Sequence, residues 1–253
     1  MTVLAGLMLS SCDWFVLDNM PGHDATVTGK FLDAETGALV PSEVYQSATG
    51  VFNIYELGWD AEAKQTWYIK NNGTYCNNLV WAGKYRMETI DQNYYPHNVK
   101  FDLKEGDNTV DFQVKPFVRF LSQEFAYDAV TRKITATCEV QVTDPTQTPA
   151  LNEVRLCCYT DCFVGTAFNN CSKDAGAVAS NVQFDENGKA TVTLAIDTQA
   201  AENAIEFKYD RVHYVRLAAL ATGAGVNGSS RYNFTQTYSL KLDGSEAVEY
   251  NKW

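Results

Sequence analysis

The chain has 253 residues, which is long enough for two domains of ordinary size. Hydrophobic residues make up 45% of it and charged residues 20%, a composition typical of a globular protein and not of a disordered chain. The formal net charge of -11 repels phosphate groups. It therefore argues against nucleic acid as a partner and against attachment to anionic lipid through a basic patch.

The N-terminus begins with an apolar run, Val3–Leu9, that is far too short to span a bilayer. The stretch that ends it, Leu9-Ser10-Ser11-Cys12, resembles the lipobox of bacterial lipoproteins, in which small residues precede the modified cysteine. The resemblance implies that Cys12 is the lipid anchor of an outer-membrane lipoprotein at the cell surface. No Lys or Arg precedes the run, unlike in a usual signal. The alternative is an apolar N-terminus with a buried Cys12.

Strand alternation predicts the direction of several of the seven cysteines. Cys138 is in step with the apolar residues of the run 134–140, so it should face a core. Cys158 is in step with Val154 and should also point inward. Cys157 then shares the outer face with Arg155.

Two further cysteines, Cys162 and Cys171, lie in one irregular segment and could close a local disulfide loop, which an exported chain permits. The alternative is a zinc cluster within residues 157–171, but paired Cys-x-x-Cys motifs are missing there. The three histidines stand apart from one another and from these cysteines. We therefore expect no metal and no cofactor.

The first half of the chain consists of short runs rich in β-branched and aromatic residues, separated by Gly, Asn and Asp. Helical periodicity is not sustained anywhere in it. Turns are expected at Glu35-Thr36-Gly37 and at Asn71-Asn72-Gly73. The predicted strands are 26–33, 51–56, 66–70, 84–90 and 109–114.

Four short motifs stand out in this half: Val27-Thr28-Gly29-Lys30, Asp33-Ala34-Glu35-Thr36-Gly37, Asn72-Gly73-Thr74-Tyr75 and Ala82-Gly83-Lys84-Tyr85. With them this half resembles the carboxypeptidase regulatory-like, transthyretin-like β-sandwich and, more narrowly, the DUF3823 family of Bacteroidetes lipoproteins. Ala82 stands where the sandwich family usually has Pro. Members of DUF3823 are typically encoded beside outer-membrane glycan importers of the SusC/SusD type. The resemblance thus implies a signal and linker at 1–23, a sandwich at 24–115, and SusC/SusD-like partners.

The second half is also predicted to be β. Strands are expected at 134–142, 154–159, 213–220 and 232–242, and residues 184–194 read as a hairpin that turns at Asn187-Gly188. The stretch 214–219 resembles a late strand of a fibronectin type III or immunoglobulin-like sandwich. The fold class expected is therefore all-β, with two sandwiches in tandem, the second at 116–253.

Motifs of catalysis are weak or missing. The stretch 223–228 satisfies G-x-G-x-x-G, but a strand-like pattern follows it where a phosphate site needs a helix N-terminus. The chain has no G-x-S-x-G sequence. We expect no catalytic residue and no enzyme activity. A hydrolase assembled from scattered carboxylates is the least favoured reading.

The first half is rich in aromatic residues, and these are its most informative feature for function. Four of them are candidates for a carbohydrate-binding platform, in the order Trp59, Tyr95, Tyr94 and Trp67. Flat rings cover the apolar faces of sugars, but aromatic residues more often pack in a core. The sequence thus predicts a non-catalytic lipoprotein that binds oligo- or polysaccharide or serves a glycan importer. The alternative is a structural or adhesive lipoprotein that makes protein–protein contacts.

Overall fold

The computed structural model describes residues 22–43, 50–89, 91–147, 150–222 and 231–252. Its regular structure is nearly all β, which confirms the predicted fold class. In these ranges no helix is long and apolar enough to cross a membrane. Cys12 with its lipobox and the glycine-rich stretch 223–228 lie outside the described residues.

The first half forms two four-stranded sheets. In one sheet β4, β1 and β7 lie side by side and β8 also pairs with β1; the other has the order β3-β2-β5-β6. The strands are β1 Ala25–Asp33, β2 Val51–Leu57, β3 Ala63–Tyr68, β4 Thr74–Val80, β5 Gly83–Thr89, β6 His97–Leu103, β7 Gly106–Thr109 and β8 Phe112–Val114.

Aromatic residues fill the space between these two sheets. Phe52 lies edge-to-face against Phe31 at 5.0 Å and against Tyr75 at 5.2 Å between ring centroids. The pattern of burial along β1 alternates residue by residue, because successive side chains of a strand point to opposite faces. This core comprises residues between 25 and 114.

The second half forms a three-stranded sheet, β13-β10-β9, and a six-stranded sheet, β12-β11-β14-β16-β17, with β15 paired to β14. Its main core comprises residues between 117 and 240 and is separate from the first core. The exact domain limits at 24, 115 and 116 stay a prediction. The strands are β9 Val118–Asp128, β10 Lys133–Val142, β11 Leu151–Tyr159, β12 Val178–Val182, β13 Lys189–Asp197, β14 His213–Ala221, β15 Asn233–Phe234, β16 Tyr238–Leu240 and β17 Val248–Glu249.

The predicted hairpin at 184–194 is wrong in its pairing. The turn itself is present, since the amide of Gly188 donates to the carbonyl of Asp185 at 3.0 Å and Gly188 has a φ of 74°. However, β12 pairs with β11 and β13 pairs with β10, in different sheets. The turn therefore carries the chain from one sheet to the other, because a local turn signal fixes the reversal and not the partner strand.

Cys138 and Cys158 face the second core, as strand alternation predicted. Cys157 does point to the opposite face, but that face is not open to solvent. A second apolar layer of Val164, Ala218 and Phe234 covers it, and Cys157 is fully buried.

The two halves meet around a buried arginine. Arg216 lies in β14 opposite Cys157, on the face away from the second core, and is 0% exposed. Its Nε donates to the carbonyl of Thr235 at 2.8 Å and its Nη2 donates to the carbonyl of Asn71, in the first half, at 2.9 Å. Nη1 also donates to Asn71 Oδ1. Burial lowers the pKa of Arg216 to about 9, although Glu43 nearby favours its charge.

A segment of the second half, residues 160–170, completes this contact, and we call it the bridging loop. The carbonyl of Val164 accepts hydrogen bonds from Arg216 at 3.3 Å and from Asn71 at 3.4 Å. The amide and hydroxyl of Thr166 donate to Glu43 Oε2 at 2.9 and 2.6 Å. The bridging loop therefore links both halves through polar groups that are largely hidden from water.

Candidate functional site

The four predicted platform residues do not lie together. Trp59 is 61% exposed and lies in the turn between β2 and β3. Tyr95 follows β5, at the other end of the same sheet, because Leu57 pairs with Lys84 near the start of β5. The seven residues of β5 separate the two by roughly 20 Å. One ligand ring cannot touch both.

Trp67 and Tyr94 are core residues, which corrects their assignment to a surface platform. Trp67 is 3% exposed because alternation along β3 turns it inward, where it packs edge-to-face on Phe52 at 5.8 Å. Tyr94 is 2% exposed and stacks on Phe31 at 5.7 Å. A bridge to Pro116 holds its backbone beside the first core. Neither ring is available to a ligand in solution.

Tyr95 is half-buried at the junction of the halves. Its ring lies 4.6 Å from that of Phe117, edge-to-face, and the ammonium of Lys115 lies 5.2 Å from its centroid. It packs against the second core. These contacts indicate that Tyr95 has a packing role at the junction of the halves.

A different set of aromatic residues does share one exposed surface. The strands β3-β2-β5-β6 turn alternate side chains away from the first core, and we call this side of the sheet the outer face. Register pairs Tyr55 with Lys64 and Arg86, and Arg86 with Lys100, in one row across four strands. The neighbouring row contains Thr66, Asn53, Glu88 and Asn98. All of these side chains are exposed or half-buried.

Two tyrosines lie on the outer face, and a tryptophan lies in the turn at one end of it. Tyr68 is 61% exposed and pairs with Val51, so it lies roughly 13 Å along the strands from Tyr55. Trp59 follows the other end of β2. The aromatic rings therefore mark two ends and the middle of an extended, open surface.

Arg86 holds the side chains in the middle of the outer face in place. Its guanidinium carbon lies 4.4 Å from the centre of the Tyr55 ring, in cation–π contact. It also forms ion pairs with Glu62 and Glu88. The hydrogen bond to Glu62 is the largest cause that raises the pKa of Arg86. Arg86 therefore keeps its charge and holds the Tyr55 ring in place.

The chemistry of the outer face is that of binding. Aromatic rings offer apolar contact, and the amides, carboxylates and ammonium groups between them offer hydrogen bonds to hydroxyl groups. Among the residues that the structure describes, no group of three His, Cys, Asp or Glu side chains could hold a metal ion.

A cavity of about 430 Å³ between the two halves is the other candidate. Its most polar groups, however, are already engaged with each other. Arg119 Nη2 donates to Asp33 Oδ1 at 2.9 Å and pairs with Glu35 at 2.7 Å. Burial opposes ionisation of Asp33, but the hydrogen bonds from Arg119 and from the amide of Glu35, together with the charge of Arg119, outweigh it and lower the pKa of Asp33. This ion pair joins the halves and leaves little charge for a ligand.

Sequence reasoning missed Tyr55 and Tyr68 as site residues, although a signal for them was present. Successive side chains of a strand point to opposite faces, so Tyr68 must face outward if Trp67 faces the core. For the same reason Tyr55 faces outward, because the preceding residue, Ile54, is buried. The pairing of Tyr55 with Arg86 requires the register of β2 and β5, which the sequence does not display.

Comparison with known proteins finds one matching family and several solved structures with a similar fold. The family described as "Protein of unknown function (DUF3823) N-terminal domain" matches residues 25–115. A search of curated proteins gave no match. A Bacteroides uniformis structure named a "putative carbohydrate binding protein" is 31% identical, with a TM-score of 0.75, and the alignment covers 87% of this chain and 100% of that one.

Two DUF3823 family structures share the fold at lower identity. That from Parabacteroides merdae is 17% identical with a TM-score of 0.68, and that from Bacteroides ovatus is 18% identical with a TM-score of 0.66. Each alignment covers 87% of this chain and 100% of the other. The similarity therefore extends through both halves and not only through the matched N-terminal region.

Proposed function

This chain belongs to the DUF3823 family, and from that premise we propose that it is a non-catalytic lipoprotein of the cell envelope that binds oligo- or polysaccharide through the outer face. The observation that carries the proposal is a set of three aromatic rings: Tyr55 and Tyr68 on the outer face of one open sheet, and the exposed Trp59 in the turn at its end. The relative that is named a putative carbohydrate binding protein supports the same class of ligand.

The outer face suits a sugar chain better than a small compact ligand. Its rings are spread along the strands instead of lining a closed pocket, so each would contact a different part of an extended molecule. The cation–π contact holds Tyr55 before a ligand arrives, which reduces the entropy lost on binding. Side chains such as Asn53 and Asn98 lie between the rings and offer donors and acceptors to hydroxyl groups.

Removal of single rings tests the site. In a glycan array followed by calorimetry, we expect Tyr68→Ala and Trp59→Ala each to weaken binding about tenfold, because one ring contact is worth ~1.5 kcal/mol. The protein would begin at Asp13, so that it retains every described residue and lacks the lipid site.

Tyr209→Ala is the matched control. Tyr209 is 60% exposed, almost the same as Tyr68, but it lies in the second half, away from the outer face. Its removal should leave the affinity unchanged. Glycan binding that survives the loss of both Tyr68 and Trp59 would locate the site elsewhere.

Lipid on Cys12 is proposed as the attachment to the outer membrane, with the folded part at the cell surface. A Cys12→Ala variant should appear in the soluble fraction without the mass of acyl chains, since several chains are needed for stable anchoring. The parent chain should fractionate with the outer membrane and be accessible to protease added to whole cells. Retention of Cys12→Ala in the membrane would contradict the anchor.

The partnership with SusC/SusD-like proteins is proposed from the genomic setting of the family. The second candidate function is a structural or adhesive role through protein contacts. It is favoured by Leu79, which is 65% exposed on the edge strand β4, where another chain could pair. Saturable binding of a purified glycan, in the absence of any other protein, favours the first function.

A further inference from the structure

Two buried cysteines lie next to each other at the base of the bridging loop. Cys158 is near the end of β11 and Cys171 follows the loop, and both are essentially inaccessible to solvent. Both belong to the second core. Nothing in the proposed binding role uses them.

Their backbones are held together by one side chain. The amide nitrogens of Cys158 and Cys171 each donate to Asn169 Oδ1, at 3.1 Å in both cases. In addition, the amide of Asn170 donates to the carbonyl of Cys158 at 2.9 Å. The two nitrogens therefore lie no more than about 6 Å apart, since both contact the same oxygen. Interaction with Cys171 is also the largest cause that raises the pKa of the Cys158 thiol.

The other cysteines nearby have different surroundings. Cys157 points to the opposite face of β11, into the layer with Val164. Cys162 is half-buried, and its Sγ contacts Asp161 Oδ1 at 3.4 Å. The geometry thus pairs Cys171 with Cys158, and not with Cys162 as the sequence had suggested.

We propose that Cys158 and Cys171 form a disulfide bond when the chain folds in an oxidising compartment. The inference rests on the proposed export of the chain, because such bonds persist outside the cytoplasm. The oxidant is a protein disulfide of the thiol-oxidase class. One cysteine thiolate attacks it to give a mixed disulfide, and the second thiolate then attacks the first cysteine's sulfur and releases the reduced oxidase. The two cysteines lose two protons and two electrons, and the oxidase disulfide becomes two thiols.

The bond forms during folding and not after it. The contact with Cys171 and burial both raise the pKa of the Cys158 thiol well above its usual value. The reactive thiolate is therefore scarce once the core has closed.

The bond closes the chain around the bridging loop. Val164 and Thr166 in this loop contact the first half. A disulfide that joins the two ends of the loop therefore also restrains the contact between the halves. The loop is short, so the chain-entropy model gives it a moderate effect on stability. We expect reduction to lower the midpoint of thermal unfolding by roughly 6–12 °C.

Peptide mapping of the protein refolded with reduced and oxidised glutathione tests the bond. This refolding does not require export, so its result is independent of the proposed location and ligand. All four cysteines of the segment 157–171 lie in one tryptic peptide, and cleavage before Asp161 separates Cys158 from Cys171. We expect the two peptides to remain joined in the absence of reductant, with a combined mass two hydrogens below the sum of the reduced peptides. Tandem mass spectrometry should then assign the bond to Cys158 and Cys171.

Alkylation of both thiols in the unfolded, unreduced protein would overturn the proposal, and so would a bond from Cys162 to Cys171. Thermal unfolding of two variants gives a second measurement. Reductant should lower the midpoint of thermal unfolding of the parent and of Cys162→Ala, but not that of the double variant Cys158→Ala/Cys171→Ala. An equal effect of reductant on all three would contradict the proposal.

Discussion

Replacement of Arg216 by Ala is expected to lower the free energy of unfolding by about 3–5 kcal/mol, because it breaks a fully buried charged network. The guanidinium satisfies the carbonyls of Thr235 and Asn71 at 2.8 and 2.9 Å, and that of Val164 at 3.3 Å. After its removal these acceptors remain out of reach of water, in the contact between the halves. Urea unfolding followed by fluorescence measures the change.

Lys189→Ala is the control for a cation at the surface. Lys189 pairs with Glu139 at 3.3 Å, and both side chains are well exposed, at 41% and 38%. Such pairs contribute at most about 1 kcal/mol. An Arg216→Ala effect as small as that of Lys189→Ala would mean that the halves do not depend on this network.

The second large effect is expected for Gly29→Ala, which should destabilise the protein by about 3 kcal/mol or more. A Cβ atom on Gly29 would lie 1.8 Å from the carbonyl oxygen of Val110 and 2.6 Å from the ring of Tyr75. Neither can retreat easily, because the Tyr75 hydroxyl donates to that same carbonyl at 2.7 Å. The midpoint of urea unfolding is the measurement.

Gly83→Ala provides a comparison within the same half. A Cβ atom on Gly83, at the start of β5, would come no closer than 3.8 Å to the Tyr85 ring, which is ordinary contact. We expect its stability to remain within about 1 kcal/mol of the parent. If both variants had the same midpoint, the close approach at Gly29 would not be a constraint on the fold.

Strand alternation anticipated much of the fold, because it depends only on neighbouring residues. It gave the all-β class and the inward direction of Cys138 and Cys158. It also required either Trp67 or Tyr68 to face the core, and the structure places Trp67 there. Gly29 was recognised as part of a family motif, but the reason for a glycine appears only when Val110 and Tyr75 are in place.

Features that depend on distant partners could not be predicted in this way. Tyr94 is not within a strand, and its burial follows from a bridge to Pro116. Arg216 lies in an apolar stretch, and its acceptor Asn71 is 145 residues away in the sequence. The outer face likewise required the register between β2 and β5 before Tyr55 and Arg86 could be seen as neighbours.

The position of β1 has a consequence for the order of folding. Ala25 pairs in parallel with Gly106, and Phe31 with Phe112, so the first strand of the sheet must wait for segments about eighty residues later. Contacts over such a separation form slowly, because a long chain segment must close before they are gained. During synthesis from the N-terminus, β1 emerges first and finds its last neighbours late. Until then its unpaired edges can pair with other chains and cause aggregation. A chaperone that binds this strand would therefore increase the yield of folded protein.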